Sequence, residues 1–415
     1  MSENIKKDFF NYLISIIIPG LINFFSIPII KKLIGTENYG EYTLWYSSFF
    51  IIIAFFSGWL GVYIIRFKAD FVDPQIHFRN CFLLIKRILL LLFIVTFAGS
   101  LVISKNVTFS AIYTLAMCAC VIQNALNGAT QANFKSRLIV ISETCRVIAF
   151  FILYLILLSI SVSYFLEKLF ASLLASYIIS IYLLYTNNEF DFLNKEKFRN
   201  HVFSVKSAYK FGVPLMLSLL ITTSLPFIDK ALLANKYGLN IQGDYQAIFD
   251  LIYRSATILF LPLSAAILPH LSTAYANENL RLIKKVIINS ILLQIGILMI
   301  CIVVYLLGGS KILFNLLSIT NTDRYYYVGM FILLTSFTVQ IALIVQKPFE
   351  LMKKTTHLMV YNGITFAITT SLLLFIYFKD LEVIYYPIGL LAGSLIYIIL
   401  CLMKMYKLLK NKSIF

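Results

Sequence analysis

The chain reads as a series of apolar runs, each about twenty residues long, separated by short clusters of charge. The runs fall near 10–30, 42–65, 88–104, 107–126, 140–160, 165–186, 211–230, 245–268, 286–307, 327–347, 357–378 and 383–403. None alternates apolar and polar residues with period two, so they predict helices and not the strands of a barrel. A run of this length spans the hydrocarbon layer of a bilayer at about 1.5 Å per residue. Lipid cannot hydrogen-bond the backbone, and a helix satisfies its own groups within one segment. The pattern therefore predicts an all-α membrane protein of about twelve transmembrane helices. An even number puts both termini on the same side.

Composition excludes a soluble alternative. Of the 415 residues 60% are hydrophobic and only 13% charged, and the mean hydropathy is +0.86. A soluble domain carries about 25% charge and cannot hide this much apolar surface. Lys6 and Lys7 precede the first run, Phe9 to Ile30, and no Ala-x-Ala cleavage site follows it. That run is read as the first spanning helix and not as a cleaved leader.

The formal charge of +16 raises the question of nucleic acid. The distribution of the basic residues answers it. With a cytoplasmic N-terminus, 24 of the 35 Lys and Arg fall on inner segments and nine on outer ones, and Arg146 and Arg254 lie within spans. This is the positive-inside bias of an inner-membrane protein, with small basic clusters at helix ends touching anionic headgroups. No nucleic-acid partner is expected. Both termini are expected in the cytoplasm. The longest connectors, 66–87 and 187–210, are read as cytoplasmic and basic, and no outer loop has room for a catalytic domain.

The two halves begin alike. Residues 10–42 hold Pro19 and Pro28 within an apolar helix, then Gly40-Glu41-Tyr42; residues 211–245 hold Pro214 and Pro226, then Gly243-Asp244-Tyr245. Each opens a block of six runs, as parallel repeats do. Two pseudo-symmetric six-helix lobes are expected, 1–205 and 206–415, with the four prolines as hinge candidates. Prolines in membrane helices also simply kink.

Ionisable residues at membrane depth cost several kcal/mol, about 2.5–3.5 each on insertion scales, and so mark candidate sites. Arg254 lies near the middle of the eighth run with Asp250 one turn before it. The i, i+4 spacing puts both on one helix face. Two readings stand: a self-neutralised pair, or a guanidinium whose planar fork holds a phosphate. Glu143 and Arg146 in the fifth run pose the same choice. Asp229 and Lys230 close the seventh run, and Lys31 closes the first; both lysines would snorkel to the surface by default. Glu350 follows Pro348 at an inner helix end. The histidines, His77, His201, His270 and His357, fall at inner positions, none near an outer-face or mid-membrane acid. No nucleophile–base set and no P-loop occurs. The six cysteines form no ligand set or disulfide framework. No metal, cofactor or catalytic residue is expected.

The first run followed by Lys31-Lys32-Leu33-Ile34-Gly35 and Tyr39-Gly40-Glu41-Tyr42 resembles the opening of bacterial O-antigen and polysaccharide translocases. The seventh run, with Pro214, Asp229 and Gly243-Asp244-Tyr245, is similar to the start of their second half. The likeness extends over the whole chain in length, span count and charge layout. It implies a flippase of the multidrug/oligosaccharidyl-lipid/polysaccharide exporter superfamily. Such a protein moves an undecaprenyl-diphosphate-linked oligosaccharide from the inner to the outer leaflet, rocking two lobes around a central cavity. The resemblance then implies that Arg254 and Arg146 hold the diphosphate, with Lys31 and Lys230 as further candidates. Asp250, Asp229 and Glu143 become coupling or ion-pair acids. The implied partners are the lipid-linked oligosaccharide, membrane lipids and other polysaccharide-assembly proteins. A cation-coupled drug exporter of the same superfamily is the nearest alternative; it usually relies on an embedded acid in the first lobe, and residues 10–30 have none. A membrane enzyme of polysaccharide assembly is a third.

Overall fold

The structure, a computed structural model, describes residues 3–67, 74–133, 135–187, 205–276, 279–320, 322–351 and 355–412. Lys68, Lys195, Lys197, Arg199, His201, Lys353 and Lys354 lie outside the described residues, as does the side chain of Glu350. The described residues form α1 (Glu3–Ile34), α2 (Thr36–Ser57), α3 (Leu60–Phe67), α4 (Pro74–Ser104), α5 (Val107–Ala132), α6 (Ser136–Ile160) and α7 (Phe165–Thr186). There follow α8 (Val205–Ala276), α9 (Leu280–Val304), a π-helical turn (Tyr305–Gly309), α10 (Ser310–Leu316), α11 (Thr322–Val345), α12 (Lys347–Leu351), α13 (Thr355–Phe378) and α14 (Tyr385–Lys412).

Among the described residues, eleven helical stretches are long and apolar enough to cross a membrane. One of them, Gly212–Phe260, has 49 residues, about 74 Å at 1.5 Å per residue and more than twice the hydrocarbon thickness. It breaks at Gly238, where φ is 83° and ψ 165°. Its two arms, 212–237 and 239–260, are each long enough to span. The crossings therefore number twelve among the described residues.

The short connectors share a device. Gly35, Lys105, Tyr164, Gly238, Ser318 and Asp380 all have positive φ. One sits in each of the six connectors that follow an odd-numbered crossing. A single left-handed residue stops a helix and reverses the chain in the least length. The segment read as a connector at 66–87 is partly helix, because α4 starts at Pro74. Proline suits the first helical position, and this helix runs on past the apolar stretch that hydropathy detects.

Contacts divide the chain into two compact units, Met1–Asn23 with Ser48–Leu220, and Phe24–Ser47 with Ile221–Phe415. The first is centred on aromatic rings. Tyr113 packs edge-on against Phe170 at 4.7 Å, and Phe49 stacks on Phe170 at 5.8 Å. Ser172, Ser176 and Ser180 of α7 are buried, and α5 and α7 pack along their lengths. Small residues let membrane helices approach closely, since lipid gives no hydrophobic drive for association. Gly61 and Gly128 meet in the same way: a Cβ on Gly128 would lie 2.8 Å from the Gly61 Cα. The second unit packs Ile283, Ile287, Ile341, Phe349, Tyr397 and Cys401 into one cluster. Thr338 and Ser394 hydroxyls bond at 2.7 Å between α11 and α14. Outward faces are apolar: Leu90 is 67% exposed and Ile300 64%, as suits lipid.

Gly128→Leu should therefore overpack the first unit by about 1–3 kcal/mol and lower the melting temperature in detergent. Gly99→Ala, where an added Cβ meets nothing within 4 Å, should leave it unchanged or raise it.

Candidate functional site

The second unit gathers charge. Depth follows from counting residues from the turns at Gly35 and Gly238. Lys31 and Asp244 lie four and six residues from them, about 6–9 Å in. Lys230, Ser47 and Asp250 lie eight to twelve residues away, about 12–18 Å, and Arg254 sixteen, about 24 Å. The charges thus form a shallow layer and a deep one.

In the shallow layer the Lys31 ammonium is 2.7 Å from an Asp244 carboxylate oxygen. It also donates to the Leu317 carbonyl at 2.7 Å. In the deep layer Lys230 donates to the Ser47 hydroxyl at 2.7 Å. The Asp250 carboxylate accepts from the Tyr39 hydroxyl at 3.2 Å and from Gln246 Nε2 at 2.6 Å. Asp229 accepts from the Tyr245 hydroxyl at 2.8 Å, and its other oxygen, Oδ1, is buried with no hydrogen bond. Arg254 lies within electrostatic reach of Asp250 and of the phenols of Tyr39, Tyr42 and Tyr46. Lys230 lies within reach of both Asp229 and Asp250. Neither lysine snorkels: Lys31 is 3% exposed and Lys230 8%. Each has an acceptor inside the protein, which outweighs the pull of the surface.

The tyrosines follow a helical period. Tyr39 stacks on Tyr42 at 5.5 Å and Tyr42 on Tyr46 at 5.6 Å. Tyr245, Phe249 and Tyr253 repeat the ladder on the second arm of α8. Tyr42 and Tyr245 are 203 residues apart, as are Gly35 and Gly238, and Gly40 and Gly243. The prolines keep a looser register, 195 apart for Pro19 and Pro214 and 198 for Pro28 and Pro226.

The first unit holds a separate cluster on α5, α6 and α7. Arg146 meets Glu143 at 2.8 Å through NH2 and at 2.9 Å through Nε. The other Glu143 oxygen accepts from Gln123 Nε2 and Asn127 Nδ2. The guanidinium also lies over the Tyr177 ring, 5.2 Å from its centre. Glu143 thus holds two amides and a guanidinium at once. Sequence reasoning missed Gln123 and Asn127. Amides in an apolar run were the available signal, since each must find a partner there.

Residues 5–275, about two thirds of the chain, match the family described as "Polysaccharide biosynthesis protein". The chain belongs to that family. Among solved structures, this polysaccharide biosynthesis protein is similar to one described as the inward-facing conformation of a multidrug resistance MATE family transporter of the MOP superfamily. They share 12% identity with a TM-score of 0.68, over 100% of this chain and 97% of the other. It is also similar to a MOP superfamily transporter from Pyrococcus furiosus Vc1, whose description names a binding pocket of reversed polarity. There identity is 14% and the TM-score 0.70, over 98% and 96% of the two chains. A MATE structure in the bent conformation matches with 14% identity and a TM-score of 0.67, over 99% and 97%. No curated protein matches the sequence. The chain therefore has the two-lobed fold of those solved membrane transporters, all-helical among the described residues.

Removing the acceptor at the centre of the first-unit cluster should be costly. Glu143→Ala leaves Gln123, Asn127 and Arg146 without it and should destabilise by about 1–3 kcal/mol. Glu143→Gln keeps one acceptor oxygen and should cost less. Thermal unfolding in detergent reads both.

Proposed function

We propose that the protein is a flippase for an undecaprenyl-diphosphate-linked oligosaccharide, moving it from the cytoplasmic to the periplasmic leaflet of a bacterial inner membrane. Membership of the polysaccharide biosynthesis family supports the substrate class. The observation that carries the reading is the deep layer itself, in which Arg254 and Lys230 stand at membrane depth around Asp250. A lipid diphosphate crosses hydrocarbon only if fixed charges and dipoles replace its water. An arginine fork suits phosphate oxygens, and the tyrosine ladder offers hydroxyl donors beside it. Arg254 is the primary diphosphate ligand in this reading and Lys230 the second, with Arg146 a further candidate. Lys31 is set apart, because its ammonium already holds a carboxylate and a carbonyl. Asp250, Asp229 and Glu143 balance these cations and take up a proton when an anion displaces them.

The working parts follow the same logic. The two six-helix lobes, 1–205 and 206–415, rock in alternating access, with both termini in the cytoplasm as the charge bias indicates. The change of unit along α1 falls at 23/24, between Pro19 and Pro28; that along α8 falls at 220/221, between Pro214 and Pro226. Missing helix hydrogen bonds make such segments compliant, so these prolines serve as hinges. Membrane lipids surround the protein, and the enzymes that build and consume the oligosaccharide are its working partners. No cofactor takes part.

A second reading, a cation-coupled drug exporter, is favoured by one observation. Asp229 is 1% exposed with Oδ1 unpartnered, a buried carboxylate that a cationic drug or a proton would satisfy. Arg254→Ala decides between the two. It should abolish surface polysaccharide while the protein still reaches the membrane, and Arg254→Lys should retain part of it. Normal polysaccharide in Arg254→Ala, with raised drug sensitivity in Asp229→Asn, would favour the exporter.

A further inference from the structure

Gly35 and Gly238, with φ of 84° and 83°, turn the chain at equivalent points of the two repeats. Five residues beyond each comes a second glycine with a different task. A Cβ on Gly40 would overlap the Leu239 carbonyl oxygen; a Cβ on Gly243 would overlap the Thr36 carbonyl oxygen. Thr36 and Leu239 are again 203 residues apart, so the two contacts exchange under the repeat. The start of α2 and the start of the second arm of α8 thus touch backbone to backbone across a local twofold. Only glycine permits that approach.

Polar groups flank this seam. Lys31 bridges the Asp244 carboxylate and the Leu317 carbonyl. One ammonium therefore ties the end of α1 to the second arm of α8 and to the residue that ends α10. The Tyr325 hydroxyl donates to the Ile241 carbonyl at 3.4 Å. One turn deeper, Gln242 Nε2 donates to the Thr43 hydroxyl at 3.0 Å, and Thr43 is 2% exposed. The seam is closed by the contact between glycines and by the polar bonds that flank it. Asp244 is 23% exposed, so the protein does not enclose the ion pair on every side. Such a contact parts and re-forms more readily than interlocked apolar side chains.

We propose that the Gly40–Gly243 seam is the gate on the face opposite the termini, and that Lys31 is its latch. Substrate leaves by that face only when the seam parts and the Lys31–Asp244 bond breaks. The inference rests on transport alone and holds for a lipid-linked sugar or a drug. It makes Lys31 a positioning residue for the closed state, not a substrate ligand.

The test needs no substrate. Thr43→Cys is placed in a chain whose six cysteines are replaced by serine, and a membrane-impermeant maleimide is added outside intact cells. Labelling should be slow in that background. It should rise roughly tenfold on adding Lys31→Met or Gly243→Ala, since a change of about one RT ln 10 in the closing equilibrium does this. The swap of Lys31→Asp with Asp244→Lys should restore slow labelling. Fast labelling of Thr43→Cys alone would overturn the gate, as would unchanged labelling in variants present at normal levels. A swap that labels as fast as its single members would overturn the latch. Should Lys31→Met fail to reach the membrane, Asp244→Asn asks the same question. Arg254→Ala should leave the labelling slow, so failure of the gate and failure of the flippase reading are separable.

Discussion

Desolvation of charge governs how this protein is built. Three acids and three bases of the second unit make up its two charged layers: Asp229, Asp244 and Asp250, with Lys31, Lys230 and Arg254. Each would cost several kcal/mol if left alone in hydrocarbon. Their sum is neutral, and hydroxyls from Tyr39, Ser47 and Tyr245 complete the set. Helices α1 and α2 are drawn into the second unit at residues 24–47 because that segment brings Lys31, Tyr39 and Ser47 to those partners. In the proposed flippase reading an approaching anion has to compete with carboxylates already in place, which keeps the site from holding it too tightly.

The charge is unevenly shared between the repeats. With the offset of 203, Asp229, Lys230, Asp250 and Arg254 correspond to Ser26, Ile27, Ser47 and Ile51. At these four positions the second copy supplies the charges, and the first supplies two serines and two isoleucines. This division also explains why residues 10–30 contain no acid.

The helices were legible because lipid imposes one rule on every span, namely length and apolarity. The repeat was legible through Gly40-Glu41-Tyr42 and Gly243-Asp244-Tyr245. Other features were hidden for physical reasons. Hydropathy reports where a helix meets lipid and not where it ends, so the start of α4 at Pro74 fell inside an expected connector. Charge at a helix end suggested snorkelling for Lys31 and Lys230. Nothing in one dimension could show Ser47, 183 residues away in sequence from Lys230, or the Leu317 carbonyl. Gln123 and Asn127 looked like tolerated polar interruptions until Glu143 was seen between them. The i, i+4 spacing did place Asp250 and Arg254 together, but Tyr39 and Gln246 as donors to Asp250 belong to tertiary structure.

The reciprocal glycine contact bears on how the two halves have drifted apart. Over most of their length the halves no longer look alike, since a helix facing lipid accepts almost any apolar residue. At Gly40 and Gly243 each copy is pressed against the backbone of the other, so a side chain added to one displaces both. Neither copy was at liberty to change there alone. The likeness of the halves is readable at the place where they touch, because mutual steric exclusion there leaves room for glycine alone.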